Sequence, residues 1–339
     1  MINTVYVIAG PTATGKSDLS ISLAKKVNGA VINSDSMQVY KNLKILTARP
    51  SLSEIKNIDH HLYGYVDGNK RYNVERWCND ATEIIKKTSD NNLTPIWVGG
   101  TGLYINTLIN GLIDVPSIPE SIKKESEKIL QEFGKDFLIN QIKNVDPESL
   151  KEINYNDTVR LRRIWEVFES TGKKFSEWKL NTNKKFVTNY KFKILLFLPD
   201  REKNYQVVNS RFVNMMKGGA VEEVKKLLEL DLHDSLPIMR AHGVPEIKKY
   251  LANKCNLDEC ISKGQQVTRN YVKRQHTWWN SSNLEIFQKF NKFPSEIDLN
   301  SIKIDWFWTK LLILFYPQPM RSWQWNKKWQ VRKLYCNLL

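Results

Sequence analysis

The segment from Gly10 to Ser17 constrains the fold of this chain more than any other feature. It reads GPTATGKS, which matches the pattern GxxxxGK followed by Ser or Thr. A short β-branched apolar run, Val5 to Ala9, precedes it, and a helical pattern follows from Ser17. A strand, a glycine-rich loop and a helix in this order form a phosphate-binding loop, because backbone N–H groups and the helix N-terminus face the anion. The sequence therefore predicts a site for a diphosphate or triphosphate.

Every residue of this loop is a predicted phosphate ligand or supports one. Lys16 is expected to reach the terminal phosphates, and the Ser17 hydroxyl is expected to hold Mg²⁺, the predicted cofactor. The predicted phosphate-binding residues are Gly10, Pro11, Thr12, Ala13, Thr14, Gly15, Lys16 and Ser17.

An acidic residue is missing where an ordinary ATPase would carry one. The apolar strand pattern from Pro95 to Val98 ends in Gly-Gly-Thr, without an acid for a metal ion. Another strand pattern, Ala30 to Ile32, is followed by Asp35. Ligands of open α/β sheets bind at the carboxyl ends of the strands, so Asp35 is predicted to lie beside the phosphate loop. It is a candidate metal ligand or base, and the alternative is an Asp that only caps a turn or helix.

Strand and helix patterns alternate along most of the chain, which is typical of a parallel α/β sheet. Further strands are predicted at Leu62 to Val66 and Phe192 to Leu198. Between residues 116 and 190 the strand signal gives way to charged helical stretches. We therefore predict a P-loop NTPase-like parallel sheet with flanking helices and an all-helical insertion domain. The predicted divisions are the first part of the core at 1–115, the insertion at 116–190, a mostly helical second part of the core at 191–305, and a tail at 306–339.

The net charge points to a polyanionic partner, and nucleic acid is the first candidate. The chain carries 51 Lys and Arg against 36 Asp and Glu, a formal charge of +15. The tail holds six of the basic residues, five of the 11 tryptophans and no acid, and we predict that it is disordered or appended. The insertion is nearly balanced, with 14 basic and 12 acidic residues, so the placement of charges matters more than their sum.

The compartment is predicted to be the cytoplasm, with no membrane partner. The four cysteines form no CxxC pair and the N-terminus has no leader-like pattern, so reduced thiols are expected. The apolar run from Leu311 to Tyr316 is far shorter than the roughly 20 residues needed to cross a bilayer.

Several further motifs follow the phosphate loop in a specific order. DSMQVY begins at Asp35, TARP at Thr47 and VGGTGLY at Val98, and later matches are Asn156-Asp157 with Arg160-Leu161, Ser210-Arg211-Phe212, and Thr268-Arg269 with Lys273-Arg274-Gln275. With these motifs the chain resembles the bacterial tRNA dimethylallyltransferase family over about residues 3 to 290. The resemblance implies transfer of a dimethylallyl group from dimethylallyl diphosphate to N6 of adenosine 37, beside the tRNA anticodon, with Mg²⁺ and with diphosphate as the leaving group.

The same resemblance assigns roles to individual residues. It implies that Asp35 is the base for the N6 amine, that Thr101 reaches into the same pocket and that Arg211 binds diphosphate; these are the predicted catalytic residues. The segments that correspond to tRNA contacts in the family supply Asp35, Ser36, Met37, Gln38, Thr101, Lys123, Val159, Arg160, Leu161, Arg162, Arg163, Arg240, Ala241, His242, Gly243, Val244, Pro245, Arg269 and Lys273.

The chain departs from the family pattern at some of these positions. Val244 and Pro245 stand where the family often has an aromatic and a basic residue, and Lys123 stands where an arginine is frequent. We expect the protein to act as a monomer on a tRNA anticodon stem-loop.

Two other functions fit the phosphate loop equally well when it is taken alone. One is a P-loop kinase of a small molecule such as a nucleoside. The other is a nucleic-acid-binding module with a nucleotide switch and no chemistry, which predicts ATP-dependent tRNA affinity without a covalent product.

Overall fold

The computed structural model describes residues 3–55, 57–181 and 183–304. The predicted tail at 306–339 lies outside these ranges. The chain divides into a unit from Met1 to Ile297 and a second from Asp298 to Leu339, of which the described part contains one 3-10 turn, Leu299–Ser301. The strands, helices and site described below all belong to the first unit.

A six-stranded sheet forms the centre of this unit, with strand order β3-β2-β4-β1-β7-β8. All neighbouring strands in it run parallel, as the alternating pattern predicts. Two further strands, β5 and β6, form a separate antiparallel pair. The strands are β1 (Asn3–Ala9), β2 (Gly29–Asn33), β3 (His60–His61), β4 (Thr94–Gly99), β5 (Leu112–Ile113), β6 (Asn183–Lys184), β7 (Tyr190–Phe197) and β8 (Gln288–Phe290).

Helices connect the strands and form most of the rest of the chain. They are α1 (Lys16–Val27), α2 (Leu52–Ile55), α3 (Val74–Asp90), α4 (Gly102–Asn110), α5 (Glu120–Val145), α6 (Pro147–Lys151), α7 (Thr158–Thr171), α8 (Phe175–Asn181), α9 (Arg201–Lys217), α10 (Ala220–Leu228), α11 (Val244–Leu251) and α12 (Leu257–Ser281). Gly134 interrupts α5 with φ 76° and ψ 179°, a conformation that glycine adopts without a steric penalty. None of the helices in the described ranges has the length and apolar composition needed to cross a membrane.

The apolar strands and the aromatic residues of α3 and α4 fix the end of β2, where Asp35 follows. Trp77 of α3 is fully buried and stacks on Tyr104 of α4 at 4.9 Å between ring centroids. The Trp77 indole also donates a hydrogen bond of 2.9 Å to the Asn33 carbonyl, the last of β2. Since burial of a large aromatic side chain stabilises a core strongly, these contacts anchor the end of β2 to α3 and α4.

One predicted strand is wrong. The run from Leu62 to Val66 does not form a sheet strand; pairing is limited to His60–His61, and Val66 makes only an isolated bridge with Tyr40. Leu62 has φ 63° and Gly64 has φ 55°, so the backbone turns out of the extended conformation. Leu62 and Val66 of this run are buried, but the segment that carries them is a loop and not a strand.

The helices of the predicted insertion have an apolar cluster of their own. Its fully or nearly buried members are Leu138, Ile142, Leu150, Leu161, Ile164 and Trp165. The Asp146 carboxylate beside this cluster is buried and accepts hydrogen bonds from the backbone N–H and hydroxyl of both Ser149 and Ser176. Burial alone would raise the pKa of Asp146, but these four hydrogen bonds outweigh it and hold the pKa below its ordinary value.

We expect Asp146→Asn to destabilise the protein by about 2–4 kcal/mol, because the amide cannot accept all four hydrogen bonds and leaves buried donors unpaired. The lowered pKa means that this carboxylate contributes stability above its ordinary pKa of 3.8 and that the contribution is lost as the pH falls through the lower folded value. Urea unfolding at neutral pH and in acid measures both effects. Asp136→Asn, which changes an exposed acid of α5, should unfold as the wild type does; equal stability of the two variants would contradict the role of Asp146.

Candidate active site

The phosphate loop connects β1 to α1 and is shaped to present its backbone. Gly15 caps α1 with φ 89° and makes no side-chain cap, so the first N–H groups of the helix could bind an anion. Gly10 has φ 145°, and a Cβ atom there would lie 2.2 Å from the Phe197 carbonyl oxygen. Glycine is therefore required at Gly10 for the loop to pass this close to β7.

Lys16 lies buried beneath the loop. Its Nζ donates to the Pro11 carbonyl at 2.5 Å and lies 3.4 Å from the Thr14 hydroxyl. Burial lowers the pKa of Lys16 to about 7; the Asp35 charge opposes this effect and the Arg211 charge adds to it. A bound polyanion would supply the negative charge that this amine lacks.

Three side chains from two helices hold the loop at Thr12. Arg211 of α9 donates to the Thr12 hydroxyl at 3.2 Å, and Asn204 of the same helix donates to the Thr12 carbonyl at 3.1 Å. Gln275 of α12 accepts from the Thr12 N–H and donates to the Gly100 carbonyl, both at 2.9 Å. Gln275 thus connects the phosphate loop to the turn after β4.

Asn204 and Gln275 are absent from the site residues that the sequence predicts. Gln275 belongs to the motif Lys273-Arg274-Gln275, so the sequence contained a pattern from which it could have been predicted as a site residue. Asn204 is fully buried, and nothing in its sequence context distinguishes it from other polar residues of an amphipathic helix.

Asp35 follows β2 at its carboxyl end, and hydrogen bonds to one of its two carboxylate oxygens hold the side chain in place. Its Oδ1 accepts from the N–H groups of Met37 at 2.8 Å and Gln38 at 3.3 Å, while its own N–H donates to Asn33 Oδ1 at 2.9 Å. Asp35 therefore does cap the turn, the alternative role considered above. Within the described part of the chain we find no hydrogen bond to Oδ2, so the second oxygen is available to a substrate.

Thr101 joins the Asp35 segment from the neighbouring strand. It precedes α4, and its hydroxyl accepts from the Ser36 N–H at 3.2 Å. It also contacts the Tyr271 hydroxyl, whose pKa is raised by burial and by the Asp35 charge. Burial lowers the pKa of Arg211, and the nearby Asp35 charge opposes this effect. The structure thus brings the three predicted catalytic residues, Asp35, Thr101 and Arg211, close together.

Two neighbouring cavities meet at this point. The phosphate cavity, of about 360 Å³, is lined by the loop from Thr12 to Ser17 and by the Gly99-Gly100 turn. The adjoining cavity, of about 220 Å³, is lined by both apolar and polar side chains. Both share Thr12, Asp35, Thr47 and Arg211. The wall of the adjoining cavity includes Met37, Leu46, Val208, Phe212, Met215, Arg240, His242 and Tyr271.

Some predicted tRNA-contact residues line these cavities. Ser36, Met37, Arg240, Ala241 and His242 line the adjoining cavity, and Gln38 lines the phosphate cavity. The His242 ring packs against Tyr271, with 4.6 Å between ring centroids.

Other predicted contact residues are buried or engaged within the protein. Leu161 and Val244 are fully buried in apolar clusters, so their side chains are not available to RNA. Arg162 donates to the Ser126 hydroxyl and to the Lys123 carbonyl, both at 2.9 Å, and lies 3.5 Å from Glu166. It joins α5 to α7. Contacts within the protein therefore account for these three residues: apolar burial for Leu161 and Val244, and an internal ion pair for Arg162.

The remaining contact candidates lie at or near the surface. Val159 is 76% exposed, and Arg160 pairs with Asp157 at 3.4 Å. Lys123 pairs with Glu120 at 3.5 Å, and Arg269 donates to Asn209 at 2.8 Å. The other members of this set are Arg163, whose pKa is lowered by partial burial, the exposed Lys273, and Pro245. Gly243, by contrast, is buried and adopts φ 97° before α11.

Comparison with known proteins places this site in a family. The model described as IPP transferase matches residues 38–282, and the model described as isopentenyl transferase matches residues 3–67. The tRNA dimethylallyltransferase of Ehrlichia canis is 39% identical over 82% of this chain and 92% of its own length. That of Wolbachia pipientis wMel is 40% identical over 87% of this chain and 95% of its own length. The chain therefore belongs to the IPP transferase family.

Two solved structures share the fold. A eukaryotic dimethylallyltransferase, described as acting on tRNA, superposes with a TM-score of 0.74 at 30% identity and covers 94% of this chain and 81% of its own. The full-length tRNA isopentenylpyrophosphate transferase of Bacillus halodurans has a TM-score of 0.63 at 28% identity, with 88% of this chain and 92% of its own covered.

The Lys16 environment predicts that diphosphate binding changes the protonation of this amine. In the free protein Lys16 should be half-protonated at about pH 7, and a bound diphosphate should raise the pKa, so Lys16 stays charged at higher pH. Carbon-13 NMR of the lysine Cε resonances, with Lys16→Arg to assign the signal, measures both titrations. A free-protein signal that titrates near the ordinary pKa of 10.5 would contradict the buried position of Lys16.

Proposed function

We propose that this protein transfers a dimethylallyl group from dimethylallyl diphosphate to N6 of adenosine 37 in the tRNA anticodon loop and releases diphosphate. The observation that carries this proposal is the position of Asp35 between the phosphate cavity and the adjoining cavity, with one carboxylate oxygen unoccupied by hydrogen bonds in the described structure. The named activity of the relatives supports the same reaction.

The proposed chemistry needs a place for one proton and for one departing anion. The N6 lone pair attacks the allylic carbon that carries diphosphate, and the carbon–oxygen bond to diphosphate breaks. Asp35 accepts the N6 proton through Oδ2, since an exocyclic amine becomes a useful nucleophile only when this proton has an acceptor. The loop N–H groups, Lys16 and Arg211 stabilise the charge on the departing diphosphate.

Mg²⁺ is proposed as the metal, held by Ser17 and by the diphosphate itself. No group of three or more His, Cys, Asp or Glu side chains that could hold a metal ion occurs in the described ranges. A site made of the Ser17 hydroxyl and diphosphate oxygens fits Mg²⁺, which usually takes one or two protein ligands and completes its shell with phosphate oxygens and water. The ion would supply further positive charge to the leaving group.

The adjoining cavity is the proposed entrance for the adenine. An anticodon-loop base must leave its stack to reach an enclosed catalytic group, and such bases are recognised by stacking and edge contacts. His242 and Tyr271 offer aromatic faces there, and Arg240 offers a cation for the RNA backbone. We further propose that the protein acts as a monomer, and the tRNA substrate favours the cytoplasm as its compartment.

The turn after β4 disfavours the kinase alternative. An acid at the end of this strand would need space that Gly99 and Gly100 do not leave: a Cβ at Gly99 would lie 2.6 Å from the Ser34 carbonyl oxygen, and one at Gly100 would lie 2.9 Å from the Gly10 carbonyl oxygen. The relatives carry the same transferase name, not that of a kinase.

Incubation with radiolabelled dimethylallyl diphosphate and unmodified tRNA tests the reaction. We expect label in tRNA, at the adenosine next to the anticodon. A parallel incubation with γ-labelled ATP and nucleosides tests the kinase alternative. Label in a nucleoside monophosphate, with none in tRNA, would contradict the proposed function.

Asp35→Asn should reduce transfer by about 10²–10⁴-fold, the usual contribution of a positioned general base. The amide keeps the size of the side chain and one acceptor oxygen for the capping hydrogen bonds, so tRNA binding should be largely retained. Single-turnover transfer and filter binding measure the two properties. Asp90→Asn, at the exposed end of α3, is the matched control; if Asp35→Asn turned over at the wild-type rate, Asp35 would not be the base.

A further inference from the structure

A loop at residues 43–50, here called the wall loop, borders both cavities. Leu46 lines the adjoining cavity, Ala48 and Pro50 line the phosphate cavity, and Thr47 lines both. The wall loop therefore contacts the space where the diphosphate end and the acceptor end of the substrates must meet.

Glu223 of α10 binds the wall loop through three consecutive backbone groups. Its Oε1 accepts from the N–H groups of Lys44 at 2.6 Å and Ile45 at 2.8 Å, and its Oε2 accepts from that of Leu46 at 3.0 Å. Hydrogen bonds to an ionised acceptor are stronger than those between neutral groups. No other side chain of the described chain binds three consecutive backbone N–H groups in this way among the hydrogen bonds found.

The wall loop needs such an attachment. Ala48 adopts φ 50°, a left-handed conformation that costs a residue with a Cβ atom free energy of the order of 1 kcal/mol. From the segment that carries Asp35, the Gln38 side-chain amide donates to the carbonyls of Thr47 at 2.9 Å and Ala48 at 3.1 Å. The loop is thus held at one end by the segment that carries Asp35 and at the other by Glu223.

The helix that carries Glu223 is a rigid support. Ala220, Val224 and Leu227 of α10 are fully or nearly fully buried in the main apolar cluster, which fixes the helix and the direction of Glu223. Glu223 itself lines neither cavity. Any effect on the reaction must therefore pass through the wall loop.

We propose that Glu223 is a positioning residue that holds the wall loop against the dimethylallyl group of the substrate. The proposal rests on the proposed function, because it assigns the apolar part of that substrate to the space beside Leu46 and Thr47. Glu223 then affects recognition of the hydrocarbon group, while the diphosphate is recognised by the phosphate loop.

Glu223→Gln tests this role, with Glu222→Gln as the matched control on the exposed face of the same helix. The amide replaces one acceptor oxygen by a donor, which faces a backbone N–H and breaks at least one of the three hydrogen bonds. In the tRNA transfer assay we expect the KM for dimethylallyl diphosphate to rise about tenfold. The inhibition constant of inorganic diphosphate should change less than about twofold, because diphosphate lacks the hydrocarbon group, and Glu222→Gln should change neither constant.

A purely structural role would not separate the two constants. If both rose together, or if neither changed while hydrogen exchange of the Lys44, Ile45 and Leu46 amides accelerated, the positioning role would be wrong. Glu223→Asp provides a second variant if Glu223→Gln does not fold; it keeps the charge, withdraws the carboxylate by one methylene, and should raise only the KM, by a smaller factor. Wild-type protein without transfer activity would contradict the proposed function, whereas active wild type with unchanged constants in both variants would contradict only the role of Glu223.

Discussion

The structure depends on the burial of positive charge beneath a phosphate loop whose own ligand carries the compensating negative charge. Lys16 and Arg211 both have pKa values lowered by burial, and Asp35 is the carboxylate that acts on both. Burying cations costs free energy unless they are paired, so the Asp35 charge offsets part of this cost and a bound polyanion would offset more. The Asn204 amide donates to the Thr12 carbonyl, the Gln275 side-chain oxygen accepts from the Thr12 N–H, and these two hydrogen bonds hold the loop at Thr12.

This constraint explains why the site is assembled from distant segments. The carboxyl ends of β1, β2 and β4 bring together the phosphate loop, Asp35 and Thr101, as expected for a parallel sheet. The second half of the core then closes the site, since α9 supplies Arg211 and α12 supplies Gln275.

The parts of the fold that local sequence patterns determine were predicted correctly, and the parts that tertiary contacts determine were not. Buried parallel strands and the phosphate loop have strong signatures, so β1, β2, β4 and β7 were identified from apolar runs and turn residues. The predicted strand at Leu62 to Val66 was wrong because the left-handed conformation of Leu62 has no sequence signal in a residue of this type. Asn204 and Glu223 were missed for a related reason: each binds a loop far away in sequence, and a single sequence does not show such pairings.

In the proposed reaction one adenine amine and one isoprenoid diphosphate meet at Asp35. Mass spectrometry of nucleosides from tRNA that has been incubated with the wild-type protein, Mg²⁺ and dimethylallyl diphosphate tests it most directly. We expect N6-dimethylallyladenosine next to the anticodon, and none of it when the Asp35→Asn variant is used for the same short time. Unmodified adenosine after incubation with folded wild-type protein would contradict this reaction.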